Sequence, residues 1–294
     1  MIAIAETPVV IGPTGLTGII SQPAQGRCAR PGIILVSAGS THRSGPNRVY
    51  TRLARQLAGR GYCCCRFDLA GIGDSPARTG GAFREGARHE LTGVMDTLAD
   101  TTGNDRFVLL GLCSGADVAL DAAAEDPGVV GLVLINGALV TGDRFAELYH
   151  AAEARTLRRL YRKRLWSPYA WARLLSGRSG FWRRLRTRAG EKPRPRSNRA
   201  GGGFGLRPDS RFHALAARGV DIFLLYSEGS VFRDVYAMAL KASLSRSYPQ
   251  NRLRVATYKH VDHTFTLLSA QQRLASDVLD WLESGHDGQK EGLK

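Results

Sequence analysis

Cys113 has neighbours that suit a cysteine to nucleophilic chemistry. It interrupts the segment 106–125, in which helix-forming residues follow an apolar, β-branched run, so we predict a strand, a sharp turn and a helix. Gly111 and Gly115 lie two residues to either side, and a tight strand-to-helix turn requires flanks without side chains. The turn would place the thiol at the amino end of a helix, whose field favours negative charge. We therefore expect Cys113 to lose its proton more readily than a free thiol.

Two other interpretations of this segment remain open. Ser114 is the alternative nucleophile, but taking it as the apex of the turn puts Leu112 and Ala116 at the flanks, where leucine fits poorly. In the other interpretation, Cys113 is a small buried residue that ends a strand. The glycine spacing favours Cys113 as the nucleophile of a covalent mechanism.

The segment 111–115, with the sequence Gly-Leu-Cys-Ser-Gly, resembles the nucleophile elbow of the α/β-hydrolase superfamily, with cysteine where serine is usual. The loops 37–48 and 66–75 are similar to two loops of serine aminopeptidase-like hydrolases, including those associated with exosortase systems. The resemblance covers most of residues 33–282 outside an insertion. It implies an α/β-hydrolase fold, in which helices cover a mostly parallel sheet and a helical lid is inserted.

The same resemblance implies a catalytic histidine in the loop between the last strand and the closing helix. His263 occupies that place, and the His-x-Phe pattern that ends at Phe265 is similar to the one in the family. His260, three residues earlier, is the competing base. We favour His263 as the group that takes the proton of the nucleophile.

The acidic member of the expected triad is its least complete part. Ser230 stands where the family places an aspartate, a few residues past the strand that ends near Tyr226. Asp234, at the start of a predicted helix, is the candidate acid, and Glu228 is the alternative. A pair of cysteine and histidine works with a weaker orienting group, since a thiol is far more acidic than a serine hydroxyl.

An oxyanion hole needs two backbone N–H groups near the acyl carbon. Ser114 should supply one, and Ala38 or Gly39, in the loop after an early strand, should supply the other. His42 and Arg43 follow in the same loop. They are candidates for substrate contact, and a structural role is equally compatible with the sequence.

No cofactor or metal is indicated. The glycine-rich segment 68–75 lacks a following lysine, so we exclude nucleotide binding there. The five cysteines show neither zinc-ligand spacing nor paired spacing, and the adjacent Cys63, Cys64 and Cys65 cannot bridge one another, so we expect no disulfide framework. Because residues 1–20 also contain no leader pattern, a reducing, cytoplasmic setting is the default expectation.

The elements that must position these residues alternate along the chain. Apolar runs and helical periodicity predict an edge hairpin over 8–21, then alternating strands and helices as far as 135, and again after 220. We divide the chain into a first part of the core, a helical lid, a second part of the core and a frayed tail, with the bounds 1–141, 142–213, 214–284 and 285–294.

Positive charge is concentrated in one segment. The formal net charge is +15, and residues 150–200 contain sixteen lysines and arginines against two acids. Such an excess suits a small-molecule or carrier-bound acyl substrate with an anionic part: an acidic acyl carrier protein, the phosphates of coenzyme A, or an anionic membrane surface. Nucleic acid is not expected, because no recognised reader motif accompanies the charge.

The sequence therefore predicts a hydrolase that cleaves an acyl ester or thioester through an acyl-enzyme on Cys113. An acyltransferase would use the same intermediate and pass the acyl group to an amine or alcohol. The alternative from another class is a catalytically inactive scaffold whose basic lid binds an anionic partner.

Overall fold

The computed structural model describes residues 2–26, 28, 31–78, 80, 83–140, 145–165 and 210–285. Its strands are β1 (Ile4–Ile11), β2 (Leu16–Pro23), β3 (Gly32–Val36), β4 (Cys64–Phe67), β5 (Phe107–Leu112), β6 (Val129–Ile135), β7 (Asp221–Ser227) and β8 (Leu253–Tyr258). Its described helices are α1 (Val49–Ala58), α2 (Phe83–Thr102), α3 (Ser114–Glu125), α4 (Phe145–Leu165), α5 (Ser210–Ala217), α6 (Val231–Val235), α7 (Lys241–Ser247) and α8 (Leu268–Gly285), with a π-helical turn (Tyr236–Leu240) between α6 and α7.

The strands form one eight-stranded sheet in the order β1-β2-β4-β3-β5-β6-β7-β8. The hairpin β1–β2 runs antiparallel at one edge, and all strands from β4 to β8 in this order are parallel to one another. This confirms the predicted α/β-hydrolase fold. The loops that follow β3, β5, β6, β7 and β8 leave the same edge of the sheet, where open α/β sheets place their sites.

Helices cover both faces of the sheet, and each face has its own hydrophobic core. One core contains residues of α1 and α8, and the other contains residues of α2, α3, α5 and α7. Leu109 and Leu110 of β5 point into opposite cores, and every residue of β5 is buried. Burying one such side chain contributes about 1.5–3 kcal/mol, so β5 is a rigid support for the residue that follows it.

One disulfide corrects the expectation from cysteine spacing. Cys28 and Cys63 are bonded, with their Cα atoms 5.8 Å apart. The pairing of β2 with β4 places Ser21 opposite Cys64, so the chain beyond β2 returns to Cys63. Spacing along the sequence does not reveal this partner, because it comes from another strand. Cys64 and Cys65 pack in opposite cores as small apolar residues.

Helix α4 lies in the first part of the segment predicted as a lid and packs against α6. Residues 142–144 and 166–209 of the predicted lid, and the tail beyond 285, lie outside the described residues, and 210–213 belong to α5. In the described part of the chain, no helix is both long enough and apolar enough to span a membrane.

Candidate active site

Cys113 occupies a strained turn between β5 and α3. Its φ of 54° and ψ of −123° lie where residues other than glycine rarely occur. A Cβ on Gly111 would collide with the backbone of Gly115, and a Cβ on Gly115 would collide with the carbonyl oxygen of Val36. The glycines allow the helix to pack closely on the strand, and Cys113 is the residue at the apex.

The thiol of Cys113 is half-buried, and its protonation differs from the expectation. Burial raises its pKa above the ordinary value of 9.0, and the nearby Asp117 carboxylate raises it further. The backbone N–H of Ser114 favours the thiolate, but this effect is smaller than that of burial. The expectation of a lowered pKa is therefore wrong, because burial outweighs the hydrogen bond that favours the thiolate.

The loop after β3 is hydrogen-bonded to the elbow. The backbone N–H of Gly39 donates to the hydroxyl of Ser114 at 2.8 Å, so this N–H of the expected oxyanion loop already has a partner. The N–H of Ala38 has no hydrogen-bond partner among the described residues. Ala38 therefore remains the candidate donor in this loop, with Ser114 as its expected partner. The hydroxyl of Ser114, the alternative nucleophile, serves here as an acceptor.

The loop of His263 is fastened to the end of β6. The side-chain amide of Asn136 donates to the backbone carbonyl of His263 at 3.3 Å and to the hydroxyl of Ser227 at 2.7 Å. Its amide oxygen accepts the N–H of Ser227 at 2.8 Å. The neighbouring residue of β6, Ile135, accepts the backbone N–H of Cys113 at 2.8 Å. One buried asparagine thus holds the histidine loop and the end of β7 next to the elbow.

His263 is half-buried, and its ring packs beside Phe232 of α6 with the ring centroids 6.3 Å apart. Burial lowers its pKa below the ordinary value of 6.5, and Asp262 opposes this shift. The Asp262 carboxylate itself is held by Thr264 and Thr266, whose hydrogen bonds outweigh burial and lower its pKa to about 2. At neutral pH the imidazole is therefore uncharged and able to accept a proton.

His260, the competing base, lies on the outside of the same loop. Its side chain is exposed, and its backbone N–H donates to the Glu228 carboxylate at 3.4 Å. Glu228, the alternative acid, therefore meets the backbone of His260, and its carbonyl oxygen accepts a hydrogen bond from Arg159 at 2.7 Å. No contact between Glu228 and the ring of His263 is found among the described residues.

Asp234 has a different partner from the one predicted. Its carboxylate is buried and accepts a hydrogen bond of 2.5 Å from Thr156 of α4. Arg159 of α4 pairs with it at 3.1 Å, and Arg155 at 3.6 Å. The described contacts of Asp234 thus connect α6 to α4 and do not include His263.

Ser230, where the family places its aspartate, immediately precedes α6 and is buried. Its hydroxyl has no hydrogen-bond partner in the described part of the chain. The loop that carries Ser230 runs along the histidine loop, because the Glu228 N–H donates to the Tyr258 carbonyl and the Ser227 hydroxyl to the Asp262 carbonyl. The position in which the resemblance places the acid is therefore occupied by an uncharged side chain.

Arg43 forms internal ion pairs, and its side chain is little exposed. It pairs with the buried Asp68 and, at 2.7 Å, with Asp74, and its backbone N–H donates to Asp68 at 2.5 Å. His42 lies 3.7 Å from Asp68 and could complete a metal-ligand set with both aspartates. The guanidinium of Arg43 already supplies the balancing charge, so the contacts favour the structural role for Arg43.

Sequence reasoning missed Asn136. It has a φ of 51° and follows a wholly apolar strand, and a glycine comes next. The signal that could have identified it is a polar residue at the carboxyl end of a parallel strand, since such ends meet at the site.

A strained residue between β5 and α3, a histidine after β8 and backbone donors after β3 define an α/β-hydrolase. Residues 31–186 match the family described as serine aminopeptidase, S33, and the chain belongs to that family. A comparison with curated proteins found no match.

Solved structures show the same fold at low sequence identity. A putative dienelactone hydrolase from Klebsiella pneumoniae is 15% identical, with a TM-score of 0.57 over 96% of this chain and 99% of that one. Naproxen esterase from Bacillus subtilis is 15% identical, with a TM-score of 0.56 over 95% of this chain and 92% of that one. The thioesterase domain from the curacin biosynthetic pathway is 17% identical, with a TM-score of 0.53 over 94% of this chain and 99% of that one.

Proposed function

We propose that this protein hydrolyses an acyl ester or thioester through a covalent acyl-enzyme on Cys113, with His263 as the base. The observation that carries the proposal is the strained apex at Cys113, beside which Asn136 fastens the His263 loop. The names of two similar structures, naproxen esterase and a thioesterase domain, fit this substrate class.

The pKa shifts favour a neutral resting pair, since burial raises the pKa of the Cys113 thiol and lowers that of the His263 imidazole. His263 then takes the thiol proton as sulfur attacks the carbonyl carbon, and the carbonyl electrons move to oxygen. The N–H groups of Ser114 and Ala38 stabilise that oxyanion. Collapse breaks the bond to the leaving group, which receives the proton from His263.

The second half of the cycle repeats these roles with water. His263 removes a proton from the water that attacks the thioester carbon, and the collapsing intermediate releases a carboxylic acid and restores the thiol. No acidic side chain is assigned to orient His263. Its backbone carbonyl is held by Asn136 and its ring by Phe232, and a thiol needs less activation than a serine hydroxyl.

A second candidate is a catalytically inactive protein whose basic segment binds an anionic partner. Ser230 in the place of the acid favours this candidate. Its partners would be an acidic carrier protein or an anionic membrane surface, as proposed from the charge of residues 150–200.

Turnover of p-nitrophenyl butyrate and butyryl-coenzyme A tests the proposal. We expect wild-type turnover to disappear in Cys113→Ala and in His263→Ala, with unchanged circular dichroism and with butyric acid as the product. Transfer of the butyryl group to an added amine would instead identify an acyltransferase. Undiminished activity of Cys113→Ala would overturn the proposal. No turnover, together with salt-sensitive binding to acidic vesicles, would favour the inactive protein.

Two finer parts of the proposal concern setting and subgroup. We place the protein in a reducing, cytoplasmic setting because a thiol nucleophile stays reduced there, and in the exosortase-associated subgroup on the resemblance of its loops. The Cys28–Cys63 disulfide argues against the first part. Alkylation of free thiols during cell lysis tests the cytoplasmic setting. In a reducing cytoplasm both Cys28 and Cys63 should be alkylated, whereas a disulfide between them would protect both.

A further inference from the structure

The loop 136–140, which follows β6, packs closely on the first turn of α3. A Cβ on Gly137 would lie 2.8 Å from the Cβ of Ala116, so the two backbones have little room between them. Asn136 and Leu139 have φ values of 51° and 57°, in the left-handed region that residues other than glycine rarely adopt. Such conformations persist where surrounding contacts impose them, so the contacts of this loop are informative.

Asp117 of α3 supplies one of these contacts. Its carboxylate accepts the backbone N–H of Leu139 at 2.7 Å. The carbonyl of Leu139 accepts a hydrogen bond of 3.3 Å from Arg211 of α5, and the Leu139 side chain is fully buried. Both backbone groups of Leu139 are therefore held, and the residue that holds its N–H belongs to the elbow helix.

Asp117 also lies near the nucleophile. Cys113 immediately precedes α3, and Asp117, the fourth residue of that helix, follows it by about one turn. Burial is the main cause of the raised pKa of the Cys113 thiol, and the Asp117 carboxylate adds to it, so this carboxylate is within electrostatic range of the sulfur. The hydrogen bond to Leu139 thus joins the loop after β6 to the part of α3 that adjoins the nucleophile.

The charged neighbours of Asp117 have other partners. Burial raises the pKa of Asp117 above 3.8, and the Leu139 N–H, Arg84 of α2 and Arg211 of α5 oppose this shift. Arg84 and Arg211 both pair with Asp121, one turn further along α3. Among the described residues, the Asp117 side chain makes no hydrogen bond besides that to Leu139. Its contact with the loop is therefore its main structural role.

We propose that Asp117 is a positioning residue of the site, and this rests on the proposed function. Its carboxylate holds the loop 136–139 against α3, the helix that begins after Cys113. Asn136, at the start of the same loop, donates to the carbonyl of His263 at 3.3 Å. The loop therefore links the helix of the nucleophile to the loop of the base, with one contact at each end.

Hydrogen exchange measured by mass spectrometry tests this link without any turnover. Asp117→Ala removes the acceptor, whereas Asp117→Asn keeps an amide oxygen that can accept the Leu139 N–H. Asp126→Ala is the matched control. The carboxylate of Asp126 likewise accepts a backbone N–H, that of Gly128 at 2.8 Å, but it lies at the other end of α3.

We expect Asp117→Ala to speed exchange in peptides that cover 136–140 by about tenfold, the effect of one lost hydrogen bond to a charged group. Exchange in peptides that cover 259–266 should also rise. Asp117→Asn should resemble the wild type, and Asp126→Ala should change exchange only near Gly128. The positioning role is refuted if Asp117→Ala leaves 259–266 unchanged, or if Asp117→Asn loosens both segments equally.

Steady-state kinetics with p-nitrophenyl butyrate measure the catalytic consequence. We expect kcat to fall about tenfold in Asp117→Ala, because a displaced base slows the chemical step, and we expect KM to change little. Asp117→Asn should recover most of kcat, and Asp126→Ala should match the wild type. Wild-type kcat in Asp117→Ala would contradict the role. A wild-type protein without turnover would refute the proposed function, and the exchange experiment would still decide whether Asp117 holds the two loops together.

Discussion

The side-chain amide of Asn136 donates a hydrogen bond of 3.3 Å to the backbone carbonyl of His263. The same side chain binds the backbone N–H and the hydroxyl of Ser227. Asn136 follows β6 directly, and the backbone of Cys113 is hydrogen-bonded to the last residue of β6. The end of one strand therefore anchors the backbones of Cys113 and His263, the proposed nucleophile and base.

Replacement of Asn136 should therefore lower activity without touching the reacting groups. We expect Asn136→Ala to reduce kcat/KM about 100-fold, since a displacement of about 1 Å at a reacting group has that effect. Ser227→Ala keeps the bond from Asn136 to His263 and loses the bond from the Ser227 hydroxyl to the Asp262 carbonyl, so it should lower kcat/KM less than Asn136→Ala does. Steady-state kinetics together with thermal denaturation would separate misplacement from unfolding. Wild-type kinetics in Asn136→Ala would show that the bond positions nothing.

Asp234→Asn should act on stability through α4. The variant weakens the interaction with Arg159 and Thr156, so we expect the free energy of unfolding to fall by about 1–3 kcal/mol. Thr156→Val, which removes the hydroxyl alone, should have a smaller effect of the same kind. Denaturant unfolding measures both. A loss of kcat near 10⁴-fold with unchanged stability would instead make Asp234 the acid that orients His263.

Ser230→Asp tests whether a carboxylate at the start of α6 reaches His263. A negative charge beside the imidazole stabilises its protonated form, so the pKa of His263 should rise from its depressed value. The acidic limb of the kcat/KM profile should then move to higher pH. Ser230→Asn has the same shape without the charge and should leave the limb in place. Identical profiles for the two variants would mean that residue 230 does not face the base.

The reactivity of Cys113 with iodoacetamide should depend on pH as a buried neutral thiol predicts. Burial raises the pKa of this thiol above 9.0, so alkylation should be slow at pH 7 and increase through alkaline pH. Peptide mapping would follow Cys113 separately from the buried Cys64 and Cys65. A midpoint below about 7 would indicate a thiolate paired with an imidazolium, which contradicts the neutral resting pair.

Local rules explain what the sequence could predict. Gly111 and Gly115 are needed because the backbone on either side of Cys113 approaches too closely to leave room for a Cβ atom. The need for two glycines is visible in the spacing of a few residues. The alternation of apolar runs with helical periodicity likewise predicted a largely parallel sheet, because each element must bury a face of its own.

Contacts between distant segments explain what the sequence could not predict. Thr156 of α4 donates a hydrogen bond to the carboxylate of Asp234, which is 78 residues away in the sequence. Asn136 donates one to the carbonyl of His263, which is 127 residues away. The direction of the Cys113 pKa shift depends on how much surrounding structure excludes water, which no local pattern records. The partner of Cys28 similarly depends on the pairing of β2 with β4.

Trapping of the acyl group tests the central claim most directly. The protein is mixed with p-nitrophenyl acetate, quenched in acid within seconds and examined by intact mass and peptide mapping, alongside Cys113→Ala and Ser114→Ala. We predict one acetyl group on Cys113 in the wild type and in Ser114→Ala, and none in Cys113→Ala. An acetyl group on Ser114, or an adduct that persists in Cys113→Ala, would contradict the assignment of the nucleophile.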